Sequence, residues 1–119
     1  MANTIHWQSP NGQNLEFGVY QYQDQWNPVA GIYMFFRQEL NNSYTPLYIG
    51  QAQNLKDRLA HHEQWRPAVQ IGGSVVLAVA VPLQANRDLF ERQLIQHYQQ
   101  PLNVQLKNSL SSFLPSPPR

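Results

Sequence analysis

Apolar and polar residues alternate in two short stretches near the N-terminus, Thr4-Ile5-His6-Trp7-Gln8 and Leu15-Glu16-Phe17-Gly18-Val19-Tyr20. A period of two predicts strands, and Ser9-Pro10-Asn11-Gly12 between them carries turn chemistry at every position. The pair reads as a β-hairpin, an extension over residues 1–30 that lies along the edge of the main sheet or covers one face of it. Asp24-Gln25-Trp26-Asn27-Pro28 then breaks the pattern. Two more apolar runs follow, Gly31-Ile32-Tyr33 and Tyr48-Ile49-Gly50, on either side of Glu39-Leu40-Asn41-Asn42-Ser43-Tyr44. The Asn and Ser content of that interruption predicts a second hairpin with a loop longer than two residues. Alternation puts Gly31, Tyr33 and Phe35 on one face of their strand, and Pro46, Tyr48 and Gly50 on one face of theirs. Two phenols side by side next to side-chain-free glycines make a surface that a ligand can approach closely.

Beyond Gly50 the period changes to 3.6. Leu55 and Leu59 mark a buried helical stripe, with Asn54 placed as N-cap and Trp65-Arg66-Pro67 as the end of the helix. Ile71-Gly72-Gly73 reads as a turn, and the continuous apolar run Ser74–Val81 as the buried central strand. A second helix starts near Asn86, carries Phe90, Leu94 and Tyr98 as its core stripe, and stops before Pro101; Glu91 sits at the border of that stripe. A carboxylate there needs a partner. Residues 103–110 fit a short third helix, and Ser111–Arg119, with Pro115, Pro117 and Pro118, an extended tail.

Composition narrows the function classes. The chain has 119 residues, enough for one domain with a real core, and 42% hydrophobic residues place it among globular proteins. With no cysteine, disulfide frameworks and Cys-ligated metal sites are excluded. No segment resembles a signal peptide or a membrane span, so a cytoplasmic protein with no membrane partner is expected. Eight Lys plus Arg against seven Asp plus Glu leave a net charge of +1, too little for a strong non-specific grip on nucleic acid. Six of the eight cations are arginines, however, whose forks suit phosphate better than lysine does.

The polar devices around the sheet suggest one chemistry. Arg58 and His62 are four residues apart and reach toward one point beside the leucine stripe. Arg58 would clamp a phosphate bidentately, Glu91 would hold a hard divalent ion with few protein ligands, and the tyrosines with His62 would position or deprotonate a nucleophile. That set describes metal-assisted phosphoryl chemistry. Each residue alone has an ordinary alternative. The tyrosines suit any strand surface, Arg58 can pair with Asp57 or Glu63, His61-His62 can end a helix in solvent, and Glu91 can be an exposed helix carboxylate. No H-E-x-x-H pattern supports a zinc site.

In this order, Gly31-Ile32-Tyr33, Tyr48-Ile49-Gly50, Asn54-Leu55…Arg58-Leu59…His62, Glu91 with Leu94-Ile95, and Pro101-Leu102-Asn103 resemble the motifs of the GIY-YIG nuclease superfamily. The resemblance covers about residues 30 to 107. It implies an α+β fold over residues 31–110, a small central three-stranded antiparallel sheet flanked by helices, with the N-terminal hairpin as an addition. It implies metal-dependent hydrolysis of DNA phosphodiesters with one Mg²⁺ or Mn²⁺. The implied site is Tyr33 as base or water-orienting group, His62 as its proton acceptor, Arg58 and Tyr48 on the phosphate, Glu91 on the metal and Asn103 in support, with Gly31 and Gly50 keeping the surface clear. Three departures stand out: 14 residues, Met34 to Leu47, separate the triplets; Gln51 stands where many relatives carry lysine; and no separate DNA-binding domain is attached. Target choice would then fall to the hairpin, the loop, a protein partner or a second copy. The alternative is a catalytically weak nucleic-acid-binding module that keeps the nuclease fold.

Overall fold

The computed structural model of the protein describes residues 4–10, 12–22, 24–41 and 43–98. In chain order these form β1 (Thr4–Gln8), β2 (Asn14–Tyr20), β3 (Gly31–Gln38), β4 (Tyr44–Ala52), α1 (Leu55–Ala60), α2 (Trp65–Gln70), β5 (Val75–Ala80) and α3 (Gln84–His97). Asn103, the helix expected over 103–110 and the Pro-rich tail lie outside the described residues.

The architecture is α+β, and the sheet is larger than expected. Five strands, not three, form one antiparallel sheet in the order β1-β2-β5-β3-β4. The N-terminal hairpin is part of that sheet, because β2 pairs with β5 through Gly18↔Ala78, Val19↔Leu77 and Tyr20↔Val76. As the apolar run predicts, β5 is the middle strand and its first four residues are buried.

Alternation sorts the core onto two faces. Ile32, Met34, Ile49 and Leu77 pack with Trp7, Leu15 and Phe17 against Phe90 and Leu94 of α3. Tyr33, Phe35, Tyr48, Val76 and Ala78 face the other way, under Leu55 and Leu59 of α1 and Ala68 of α2. Trp7 meets Phe90 edge to face at 6.3 Å, so the added hairpin helps to clamp α3.

Several local expectations change. β3 and β4 run on to Gln38 and back from Tyr44, so most of the 14 residues between the triplets are strand rather than loop. The register slips between Phe35 and Phe36, where Phe35 opposes Tyr48 but Phe36 opposes Pro46. Leu47 is therefore the extra residue of a β-bulge, and Pro46 does not share the Tyr48 face. Trp65-Arg66-Pro67 does not end α1; these residues open α2. A proline is tolerated in a first turn because its missing N–H has no intrahelical acceptor there. α1 itself begins as expected, with the Asn54 side chain accepting from the Asp57 N–H.

Candidate active site

The ring cluster starts from the β3–β4 pairing. Tyr33 opposes Gly50, and Phe35 opposes Tyr48. A Cβ at residue 50 would lie 2.6 Å from the Tyr33 hydroxyl, so glycine there makes room for the phenol. At residue 31 a Cβ would run into the Val79 carbonyl and touch Leu55, so that glycine lets β5 and α1 close in. The tyrosine rings lie 6.3 Å apart, inclined by 28°.

His62 enters where α1 stops, and it is 5% exposed. Its ring meets Tyr33, Phe35 and Tyr48 edge to face at 4.9–5.2 Å. Its Nε2 lies 2.6 Å from the Tyr33 hydroxyl, and its Nδ1 accepts from the Gln64 N–H at 3.0 Å. With Nδ1 an acceptor, the neutral ring carries its proton on Nε2 and donates to the Tyr33 oxygen. Burial first, then the nearby Arg58 charge, push the His62 pKa down to about 4, so the ring is neutral at pH 7. The hydrogen bond thus runs from His62 to Tyr33, and in this tautomer Nε2 has no lone pair with which to take the Tyr33 proton. Tyr33 is 1% exposed, and burial followed by the Tyr48 phenol hold its pKa far above the ordinary value, against the lowering effect of Arg58. Tyr33 is a neutral phenol here, suited to orienting a water rather than to deprotonating one.

Arg58 brings its charge to both phenols, lowering the pKa of each, while burial raises both. Its fork is engaged. Nη1 donates to Glu63 Oε1 at 2.8 Å and Nη2 to Oε2 at 2.7 Å. Those bonds are the main reason that the Arg58 pKa is raised and the Glu63 carboxyl is held down to about 2.

Glu91 belongs to a different cluster. It projects from α3, the helix on the opposite face of the sheet, and meets the tyrosine cluster around the outer strand β4. Gln51 follows Gly50 and points to the α3 side, where its Nε2 donates to Glu91 Oε1 at 2.9 Å and Asp88 Oδ1 at 2.8 Å. Its Oε1 accepts from Arg87 Nε at 3.2 Å and Gln84 Nε2 at 3.1 Å, which fixes the way round of the amide. Arg87 is 3% exposed and also donates to the Val81 and Pro82 carbonyls. Burial raises the Glu91 pKa, Gln51 lowers it, and the neighbouring Asp88 raises it again. The Glu91 charge reaches Tyr48, whose pKa it raises.

The two clusters therefore meet at Gly50–Gln51 but do not line one open cleft. Cavities of about 150 and 330 Å³ lie instead on either side of Trp26, outside the ring cluster. Among the described residues, no group of three or more His, Asp and Glu converges on one point. Asp88 and Glu91 turning toward one amide do fit an ion that takes one or two carboxylates and keeps its waters, as Mg²⁺ does.

Sequence reasoning missed four contributors. Tyr22 accepts from the His62 N–H at 3.0 Å and stacks on Trp65 at 4.3 Å, pinning the turn that carries His62. In the sequence Glu63 reads only as a surface partner of Arg58. Arg87 sits one turn before Phe90 on the buried stripe, a spacing that could have singled it out. Asp88, three residues before Glu91, carries the same signal.

Among the described residues, no helix is long and apolar enough to cross a membrane. No protein-family model, curated protein or solved structure matches the chain.

Proposed function

We propose that this protein is a metal-dependent endonuclease of the GIY-YIG type that hydrolyses DNA phosphodiester bonds. The observation that carries the reading is the meeting of Tyr33, Tyr48, His62 and Arg58 on one sheet face, with the Glu91 charge reaching Tyr48 around the edge of β4. Arg58 neutralises the scissile phosphate, and Tyr48 hydrogen-bonds to it. His62 donates to the Tyr33 oxygen, and the Tyr33 O–H, which faces Tyr48, would turn to orient the attacking water. Glu91, with Asp88 beside it, would hold one Mg²⁺ or Mn²⁺, which supplies Lewis-acid polarisation of the phosphate. Gly31 and Gly50 keep backbone and rings close, and Gln51 sets the Glu91 carboxylate. With a net charge of only +1, selection of the DNA target falls to a protein partner or a second copy of the chain.

Three observations favour the alternative, a DNA-binding module with weak catalysis. Tyr33 is buried, the Arg58 fork is filled by Glu63, and Glu91 is held by Gln51. Single-turnover cleavage of labelled DNA with and without Mg²⁺ separates the two. Nuclease action predicts divalent-dependent cutting that Glu91→Ala abolishes while DNA affinity stays nearly intact. Cutting by Glu91→Ala at the wild-type rate would remove the metal site from the reading.

A further inference from the structure

The Arg58–Glu63 pair has the geometry that a guanidinium makes with phosphate: two parallel N–H···O bonds of 2.8 and 2.7 Å to two oxygens of one anion. The pair lies beside the phenols, and the Glu63 charge acts on Tyr33, Tyr48 and His62 as well as on Arg58. Resting on the nuclease reading, we propose that Glu63 determines specificity, its carboxylate occupying the Arg58 fork in place of a phosphate. A phosphodiester then enters only when the rest of a polynucleotide holds it there, and lone anions are turned away.

The surroundings of Glu63 fit this role. Its side chain is 61% exposed, so it can swing into solvent without disturbing the core, while the Arg58 side chain is 35% exposed. Its backbone is tied on both sides. The His62 N–H donates to Tyr22, the Gln64 N–H to the His62 ring and the Trp65 N–H to the His62 carbonyl. A tethered carboxylate of this kind competes as though present at millimolar concentration, so a free anion at lower concentration leaves the pair intact. A DNA strand held by further contacts competes on equal terms.

The test compares wild type, Glu63→Gln, Glu63→Ala and Arg58→Ala, with inorganic phosphate and a DNA duplex as probes. Glu63→Gln removes the charge but keeps one acceptor, and Glu63→Ala removes both. DNA affinity is read by fluorescence anisotropy with and without submillimolar phosphate, and the Arg58 Nε–Hε resonance by NMR. Both Glu63 variants are expected to bind DNA about two- to fivefold tighter, the span of a partly exposed ion pair, and to lose that gain to phosphate. Wild type is expected to ignore phosphate, and Arg58→Ala to lose binding in every condition. If the Glu63 variants bind DNA no better than wild type while Arg58→Ala still weakens it, the filter is overturned and the nuclease reading is left intact. If phosphate shifts the Arg58 resonance only in the Glu63 variants, yet no variant binds or cuts DNA, the filter stands and the nuclease reading falls.

Discussion

The ring cluster of Tyr33, Tyr48 and His62 and the carboxylate cluster of Gln51, Asp88 and Glu91 sit on opposite faces of one strand pair and are built by different physics. The first is held by packing. Its members are buried and neutral, and their hydrogen bonds are few and short. The second is held by a chain of hydrogen bonds running from Arg87 through Gln51 to two carboxylates, partly open to water. Packing specifies position through shape, so the ring cluster resists small changes until a side chain no longer fits. A hydrogen-bonded chain specifies position through partners, so it responds to each partner in turn. The difference assigns tasks: positioning to the buried phenols, charge to the rim.

The largest effect expected concerns Arg58, whose charge acts on all three members of the ring cluster. Arg58→Ala should lower the single-turnover cleavage rate by about a hundredfold or more, the usual cost of losing a donor to the developing charge, and should weaken DNA binding as well. Arg58→Lys should recover binding better than rate, because charge is restored but the fork is not. Equal recovery of both would mean that Arg58 acts only as a point charge.

Acid should separate the clusters next. A histidine whose pKa falls from 6.5 to about 4 on folding is protonated in the unfolded chain before the folded one. Stability is therefore full above about pH 6.5 and is lost as pH falls toward 4, by up to about 3 kcal/mol at 1.36 kcal/mol per pKa unit. Glu63, held down to about 2, gives a second loss only below its unfolded value of 4.5, and a small one because the pair is largely solvated. Glu91 has the opposite sign. Its raised pKa makes the folded chain hold its proton longer, so its contribution falls as pH rises through that value. Urea unfolding of wild type and His62→Phe between pH 4 and 7 checks this: stability should fall more steeply toward pH 4 in wild type than in the variant. An equal slope in both would place the titrating group elsewhere.

How far each cluster was legible in the chain follows from the same contrast. Tyr33, Tyr48 and the glycines could be placed because alternation is local and a period of two assigns faces without knowledge of partners. The bulge at Leu47 could not, since register belongs to the pairing of two strands and a single extra residue leaves no mark in either. The merger of the hairpin with the sheet rests on three residue pairs nearly sixty positions apart, and no local pattern encodes such a contact. In α2, Pro67 read as a stop because the same residue that breaks a helix interior is accepted in a first turn. Glu91 and Gln51 stand out in the chain, but Arg87 does not, and neither does the way Gln51 aims Glu91. Their roles come from which side of β4 faces α3, a tertiary fact.

Adding one methyl to the meeting point of the clusters should cost less than acid does at its maximum. In Gly50→Ala the new Cβ would stand 2.6 Å from the Tyr33 hydroxyl and 3.1 Å from Tyr48 Cε2, and Tyr33 is too buried to move aside. Overpacking of this kind costs about 1–3 kcal/mol, read as a lower urea midpoint, and it should shift the His62 ring resonances in NMR spectra. An unchanged midpoint would mean that β4 can slide at Gly50, and the ring cluster would not be as rigid as its packing implies.

The smallest effect asks whether the two clusters are energetically separate. Tyr33→Phe removes the hydroxyl to which His62 donates, leaving a buried N–H unsatisfied at about 1–3 kcal/mol. Gln51→Ala removes the amide from Glu91 and Asp88, and should cost about 0.5–1.5 kcal/mol in a partly exposed network. It should also raise the Glu91 pKa further, since Gln51 is the contact that lowers it, and a carboxyl ¹³C titration would read that shift. Among the described residues the two side chains share no hydrogen-bond partner; they are linked through Gly50, which opposes Tyr33 and precedes Gln51, and through the Glu91 charge felt at Tyr48. The double variant should therefore be additive in stability to within about 0.5 kcal/mol, the tolerance for sites without shared contacts. Coupling above about 1 kcal/mol would show that the clusters form one cooperative unit across β4, and packing and hydrogen bonding could no longer be assigned separate tasks there.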